Sequence, residues 1–275
     1  MAEPVVLRPP IDLNEFLAEP EPEYDWIVPG LLERGDRMII TGNEGKGKST
    51  LLRQLAMQAA LGIHPFTLEK LPSLRTLFVD LENGRSQMRR EFKKVSTLKT
   101  PEGSLYVAPW PGGLDLSEVS MRNALANVLT EFKPDLFILG PMYKLAPRLE
   151  REEESASLAH FLDVLREVLK FTLIIESHQP HAIYMDSERV RPERPYGSSL
   201  WLRWPEFGFC LEDSGVLRPW RGSRDSERTW PRKLKKEGIW PWMVDEMRCL
   251  VCGEQLEGHQ QKYCSERCSE TGRKR

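Results

Sequence analysis

The sequence has few of the features that mark membrane, secreted or disulfide-stabilised proteins. Across its 275 residues, no apolar run approaches the length of a bilayer span. The segment from Met1 to Pro10 lacks the apolar core of a secretory leader. Only five cysteines are present, and four of them lie near the C-terminus. In a cytosolic protein this pattern favours a metal site over a disulfide framework. We therefore expect a cytoplasmic protein without membrane association.

The overall composition is that of a globular protein. Hydrophobic residues make up 40% of the chain and charged residues 29%, which argues against a wholly disordered chain. The length suits one sizeable α/β core with a small appendage. The formal charge is −2, but the part from Arg218 onward carries more Lys and Arg than Asp and Glu. A basic C-terminal part indicates where a polyanion could be held, although dispersed surface charge is the commoner explanation.

One stretch carries a complete phosphate-binding motif. Residues 42–49 fit G-x-x-x-x-G-K-[ST] at every fixed position. An apolar run at 38–40 precedes the motif as a buried strand would, and the pattern of an amphipathic helix follows from Thr50. Glycines and a helix N-terminus together direct backbone N–H groups at phosphate oxygens. The candidate nucleotide-binding residues are Gly42, Asn43, Glu44, Gly45, Lys46, Gly47, Lys48, Ser49 and Thr50.

Two side chains of this motif have separate roles in the predicted nucleotide site. Lys48 is expected to reach the β- and γ-phosphates, and the hydroxyl of Ser49 is expected to bind Mg²⁺. The sequence therefore predicts a nucleoside triphosphate site, with ATP and Mg²⁺ as its cofactors.

Strand and helix patterns alternate along the chain after the motif. The predicted strands are 75–80, 105–108, 136–139, 172–175, 207–211 and 216–220. Helical patterns separate most of them, so we expect an α/β fold with a mostly parallel central β-sheet flanked by helices.

Two of these strands end in side chains that could act on a triphosphate. Glu82 follows the strand at 75–80, and His178 follows the one at 172–175. Ligands bind at the carboxyl edge of parallel sheets, so Glu82 could orient or deprotonate an attacking water and His178 could sense the γ-phosphate. The alternatives are an ordinary loop carboxylate and a structural histidine.

The strand at 136–139 is the one expected to carry a Walker B aspartate, but Gly140 stands at that place. Two explanations are open. Either Ser49 and waters hold Mg²⁺ with help from Asp80 or Glu82, or hydrolysis is weak.

The C-terminal cysteines have the spacing of a zinc site. Cys249-x₂-Cys252 and Cys264-x₃-Cys268 are separated by 11 residues, and they supply four thiolates for one tetrahedral zinc ion. His259 could replace one ligand but has the weaker spacing. A segment this short buries little apolar surface, so the metal would supply its stability. The pattern resembles short treble-clef-type zinc fingers.

The order of elements in residues 24–236 resembles the RecA-type ATPases, most closely the RepA-like branch beside the DnaB-type replicative helicases. The stretches that carry the resemblance are 26–30, 42–50, 80–83, 138–145, 177–178 and 197–199. The resemblance implies that Glu82 is the catalytic base and His178 a phosphate sensor. It also implies that the predicted loop at 184–195, with Arg189, Arg191 and Arg194, contacts DNA.

The resemblance further implies an assembly and an activity. Arginines after the last strands of such proteins act as fingers in the neighbouring subunit's site, and Arg221 and Arg224 are the candidates here. The expected protein is an ATPase that works as a DNA helicase or translocase motor. Its expected partners are single-stranded DNA, further copies of the chain in a hexameric ring, and replication or recombination proteins.

Two other functions are alternatives to this expectation. A nucleotide-switched DNA-binding or regulatory ATPase without unwinding activity is the main alternative, and Gly140 favours it. A small-molecule kinase fits poorly, because the Arg-rich segment and the finger candidates would have no role in it.

These predictions divide the chain into four parts. They are an N-terminal arm at 1–24, a RecA-like ATPase core at 25–236, a linker at 237–248, and a zinc finger with a basic tail at 249–275.

Overall fold

The alternating patterns of the sequence form a layered α/β structure. The computed structural model describes residues 9–20, 23–180, 183–185, 188–190, 192, 194–222, 228–245, 251 and 265–273. In chain order the elements are α1 (Leu13–Ala18), β1 (Trp26–Val28), β2 (Leu32–Glu33), β3 (Arg37–Thr41), α2 (Lys48–Leu61), β4 (Thr76–Asp80), α3 (Arg85–Val95), β5 (Leu105–Pro109), α4 (Val119–Phe132), β6 (Leu136–Gly140), a 3₁₀ turn (Met142–Lys144), α5 (Glu152–Leu169), β7 (Thr172–Glu176), β8 (Ile183–Met185), β9 (Glu188–Val190), α6 (Leu200–Arg203), β10 (Phe207–Leu211), β11 (Leu217–Arg221), β12 (Leu234–Lys235), β13 (Met243–Val244) and α7 (Glu266–Arg273).

The central sheet has seven strands in the order β11-β10-β3-β7-β6-β4-β5. Its neighbouring strands are parallel, apart from the antiparallel pair β10–β11 at one edge. Strand β7 lies between β3 and β6. Strand β3 leads into the phosphate-binding motif at 42–49, which is called the P-loop below. This arrangement confirms the predicted α/β class with a mostly parallel sheet, and it fits a RecA-like core.

The inner strands are buried on both faces, because helices cover each face of the sheet. Adjacent residues of a strand point to opposite faces, and Ile40 and Ile39 of β3 accordingly belong to two different hydrophobic clusters. The cluster around Ile40 includes residues of α2 and α3. The cluster around Ile39 includes residues of α4 and α5. Because β3, β7, β6 and β4 are parallel neighbours, their carboxyl ends meet at one edge of the sheet.

Helix α2, which follows the P-loop, is buried on nearly all sides, so the prediction of an amphipathic helix was wrong. The sheet covers one side of the helix, and the segment around Trp242 packs on another side. The side-chain amide of Gln54 donates to the Trp242 carbonyl at 2.7 Å and accepts from the Trp242 N–H at 2.8 Å. Trp240 and Trp242 are both buried. The described part of the predicted linker at 237–248 therefore packs against the core.

Two segments outside the central sheet are the predicted N-terminal arm and the predicted DNA-contacting segment at 184–195. Helix α1, in the predicted arm, begins after Asp12 and has no buried residue. The segment 184–195 was predicted as a loop, but β8 and β9 pair there as an antiparallel hairpin. None of the described helices combines the length and the apolarity that a bilayer crossing requires.

Candidate nucleotide-binding site

The P-loop connects the end of β3 to the start of α2. Gly42 and Gly47 have φ angles of 149° and 98°, which L-residues rarely adopt. A Cβ atom at Gly42 would lie 2.6 Å from the carbonyl oxygen of Leu211, and one at Gly47 would lie 2.9 Å from the Trp242 ring. Glycine is therefore required at both positions by backbone conformation and by space.

The ammonium group of Lys48 lies inside the loop. Its Nζ donates to the carbonyl oxygens of Gly42 at 2.8 Å and Asn43 at 2.9 Å. Burial lowers the pKa of Lys48, while the carboxylates of Glu176 and Glu44 act in the opposite direction. A cation held in this way is placed to pair with phosphate oxygens that enter the loop.

A cavity of about 790 Å³ opens beside the P-loop, a volume in the range of small-molecule sites. Its lining side chains come from elements that are distant in sequence, and they include Lys48, Ser49, Glu82, Tyr143, Glu176 and His178. The fold thus brings both predicted strand-end residues, Glu82 and His178, to the same cavity as the P-loop.

Glu82, Tyr143 and His178 form a cluster in this cavity. The Tyr143 hydroxyl donates to Glu82 Oε1 at 2.8 Å, and His178 Nε2 lies 3.6 Å from the same oxygen. The centroids of the Tyr143 and His178 rings are 5.6 Å apart. Burial and the Glu82 carboxylate raise the pKa of Tyr143 to about 12, so the phenol stays a hydrogen-bond donor well above neutral pH. Tyr143 was not among the predicted site residues.

Glu176, at the end of β7, lies beside the P-loop serine. Ser49 Oγ donates to Glu176 Oε1 at 2.8 Å. Burial raises the pKa of Glu176, and Lys48 and the hydrogen bond from Ser49 lower it in part. A hydroxyl and a carboxylate are the hard oxygen donors that Mg²⁺ prefers, so these two residues fit the ion that accompanies ATP. Glu176 was not among the predicted site residues, which at the end of this strand included only His178, two residues later.

The absence of a side chain at Gly140 makes room for this carboxylate. A Cβ atom at Gly140 would lie 2.6 Å from the Cβ atom of Glu176, a distance that real Cβ atoms essentially never show. The two residues are close because β6 and β7 are parallel neighbours. Two features of the sequence could have indicated this arrangement. Glu176 is an acid at the end of one strand, and Gly140 stands where another strand was expected to end in an acid.

Asp80 has a different set of partners. Its Oδ1 accepts the backbone N–H groups of Glu82 at 2.9 Å and Asn83 at 2.8 Å, and its Oδ2 lies 3.8 Å from an Arg53 nitrogen. Asp80 therefore shapes the turn that carries Glu82.

The arginine-finger candidates lie away from this cavity or outside the described residues. Arg221 ends the edge strand β11 and donates to the carbonyl oxygen of Leu202 at 2.8 Å. It pairs across the sheet with Gly208, which is level with Ile39 of β3 and not with the P-loop end of that strand. Arg224 lies outside the described residues. A contact across a subunit interface stays a prediction for both.

The predicted zinc ligands fall mostly outside the described residues. Cys249, Cys252 and Cys264 belong to that part, and Cys268 lies in α7. Within the described ranges, no group of three or more His, Cys, Asp or Glu side chains is placed to hold a metal ion. The zinc site stays a prediction.

The mostly parallel sheet, the glycine-lined loop and the buried Lys48 define a P-loop nucleotide-binding protein. A sequence family described as the AAA domain matches residues 2–182, which is more than half of the chain. The chain therefore belongs to the AAA domain family, and with its intact P-loop it is an ATPase. It matches no curated protein. Among solved structures, it is similar to a KaiC-like protein from the hyperthermophilic archaeon Pyrococcus horikoshii. That likeness has 16% identity and a TM-score of 0.48, and it covers 79% of this chain and 96% of the other.

Proposed function

We propose that this ATPase is a ring-forming motor that hydrolyses ATP and moves along single-stranded DNA as a helicase or translocase. The position of Glu82 is the observation that supports ATP hydrolysis in this proposal. Its carboxylate lines the P-loop cavity, where Tyr143 holds it at 2.8 Å. A positioned carboxylate can orient an attacking water and accept its proton. The DNA motor itself is supported by the resemblance of the element order to RecA-type helicases.

In the proposed reaction, water attacks the γ-phosphate in line with the leaving oxygen. Glu82 orients the water and takes its proton, and Tyr143 holds Glu82 in place. Lys48 pairs with the β- and γ-phosphate oxygens, and His178 contacts the γ-phosphate side of the cavity. Ser49 would hold Mg²⁺, which when bound neutralises charge that develops on the phosphates. Arg221 or Arg224 of a neighbouring subunit adds a further cation.

The nucleotide-switched alternative drew its support from Gly140. That support is weaker once Glu176 is taken into account, because this carboxylate lies 2.8 Å from Ser49 in the space that Gly140 leaves. An acid is thus available in the site although the expected strand lacks one.

The rate of ATP hydrolysis with and without single-stranded DNA separates a motor from a switch. We expect DNA to raise the rate severalfold, because a motor couples turnover to movement along its track. Lys48→Ala, prepared in parallel, measures any contaminating ATPase. An unchanged rate, with DNA binding demonstrated by fluorescence anisotropy, would favour the switch.

The proposal assigns the zinc finger to the C-terminal cysteines. Protein purified without chelator is expected to contain one zinc ion per chain by elemental analysis. Cys264→Ser should release it while ATP hydrolysis persists, because the P-loop sheet has its own core. Cys210→Ser, which leaves all four C-terminal thiols intact, is the matched control and should keep the metal. Purified protein that contains no zinc would contradict the assignment.

A further inference from the structure

We propose that Glu176 holds the Mg²⁺ of the bound nucleotide together with Ser49, and so takes the role of the acid that position 140 lacks. This inference rests on the proposed ATP site and deepens it. It assigns a metal-binding role to a residue at the end of β7, the strand between the P-loop strand and β6.

Glu176 contacts the P-loop serine directly. The hydroxyl of a P-loop Ser or Thr is a ligand of the nucleotide's Mg²⁺. Glu176 Oε1 accepts the hydrogen bond of this hydroxyl at 2.8 Å, so the carboxylate already lies where an ion bound to Ser49 would meet it. Glu176 is only 9% exposed, and it lines the same cavity as Lys48 and Ser49. A buried carboxylate in this position is stabilised by a cation.

Positions 140 and 176 lie next to each other at the ends of the neighbouring strands β6 and β7. Any side chain at position 140 would clash with Glu176, since its Cβ atom would lie 2.6 Å from the Cβ atom of Glu176. The chain has glycine at 140 and an acid at 176. The acid of the site is therefore on β7, next to the strand that was expected to carry it.

Asp80 and Glu82, two other acids near the P-loop serine, have different tasks. Asp80 accepts the N–H groups of Glu82 and Asn83 and faces Arg53. Glu82 accepts the Tyr143 hydroxyl. Of the carboxylates described around the P-loop serine, Glu176 is the one with a hydrogen bond from Ser49.

Binding of Mn²⁺, a paramagnetic substitute for Mg²⁺, tests this role without relying on turnover. Electron paramagnetic resonance reports free Mn²⁺ in titrations of the protein–ADP complex. We expect Glu176→Gln, which keeps the shape and removes the charge, to weaken Mn²⁺ binding at least about tenfold, as the loss of a charged metal ligand should. ADP affinity in EDTA should stay the same or increase, because a negative charge near the phosphates is removed.

Glu150→Gln is the matched control. Glu150 is an exposed carboxylate on the rim of the same cavity, and its loss should leave Mn²⁺ affinity unchanged within about twofold. Equal Mn²⁺ affinity in Glu176→Gln and wild type would overturn the inference. That result would not bear on ATP hydrolysis by the wild type, which is measured separately, so the proposed function would stand.

A second variant covers the case in which Glu176→Gln does not bind ADP in EDTA. Glu176→Asp keeps the charge but shortens the side chain by one methylene, so the carboxylate reaches less far toward Ser49. We expect Mn²⁺ affinity to fall at least about threefold relative to wild type and to Glu150→Asp. Unchanged affinity in Glu176→Asp would also overturn the inference.

Discussion

Glu82→Gln is expected to bind ATP with nearly wild-type affinity and to hydrolyse it at least about a hundredfold more slowly, since general bases contribute roughly 10²–10⁴-fold. Glutamine keeps the size of the side chain and an oxygen that can accept the Tyr143 hydroxyl, which lies 2.8 Å from Glu82 in the wild type. It cannot take a proton from water. The expected loss is therefore in the chemical step and not in binding.

Single-turnover hydrolysis with enzyme in excess over labelled ATP measures that step directly. Glu150→Gln is the control, because it removes an exposed carboxylate from the rim of the same cavity and should hydrolyse ATP at the wild-type rate. Comparable single-turnover rates in Glu82→Gln and wild type would remove Glu82 from the role of base.

Lys48→Ala is expected to abolish detectable nucleotide binding. In the wild type, the ammonium group lies 2.8 Å from the Gly42 oxygen and 2.9 Å from the Asn43 oxygen. Without it, these two carbonyl dipoles face the loop with no cation between them and the incoming phosphates. The substitution thus removes an attraction and leaves a repulsion in its place.

Fluorescence titration with a labelled ATP analogue measures this loss. Lys94→Ala is the control, because Lys94 is an exposed residue of α3 whose described partner is Glu91. Thermal unfolding of the ligand-free proteins should show that Lys48→Ala remains folded. Nucleotide affinity within a few fold of wild type in a folded Lys48→Ala protein would contradict the assigned role of the P-loop.

The features that could be predicted from the sequence are local in the chain. The P-loop motif spans eight consecutive residues, 42–49, and apolar runs indicate buried strands without knowledge of their neighbours. The rule that ligands bind at the carboxyl edge of parallel strands then sufficed to place Glu82 and His178 together. In the structure both residues line the P-loop cavity.

The features that could not be predicted depend on which strands are neighbours. Gly140 and Glu176 explain each other only once β6 and β7 are known to pair in parallel. Gln54 and Trp242 are separated by 188 residues, so nothing in the local pattern of α2 shows that its outer side is covered. The amphipathic prediction failed for that reason. Tyr143 likewise reaches Glu82 from 61 residues away.

Movement along single-stranded DNA is the most direct test of the proposed motor. Displacement of streptavidin from a biotinylated oligonucleotide can be followed with wild type, Glu82→Gln and Lys48→Ala, each with and without ATP. We predict displacement by the wild type only when ATP is present, and none by either variant. The motor would be contradicted if the wild type bound the oligonucleotide and hydrolysed ATP but left streptavidin in place both on strands biotinylated at the 5′ end and on strands biotinylated at the 3′ end.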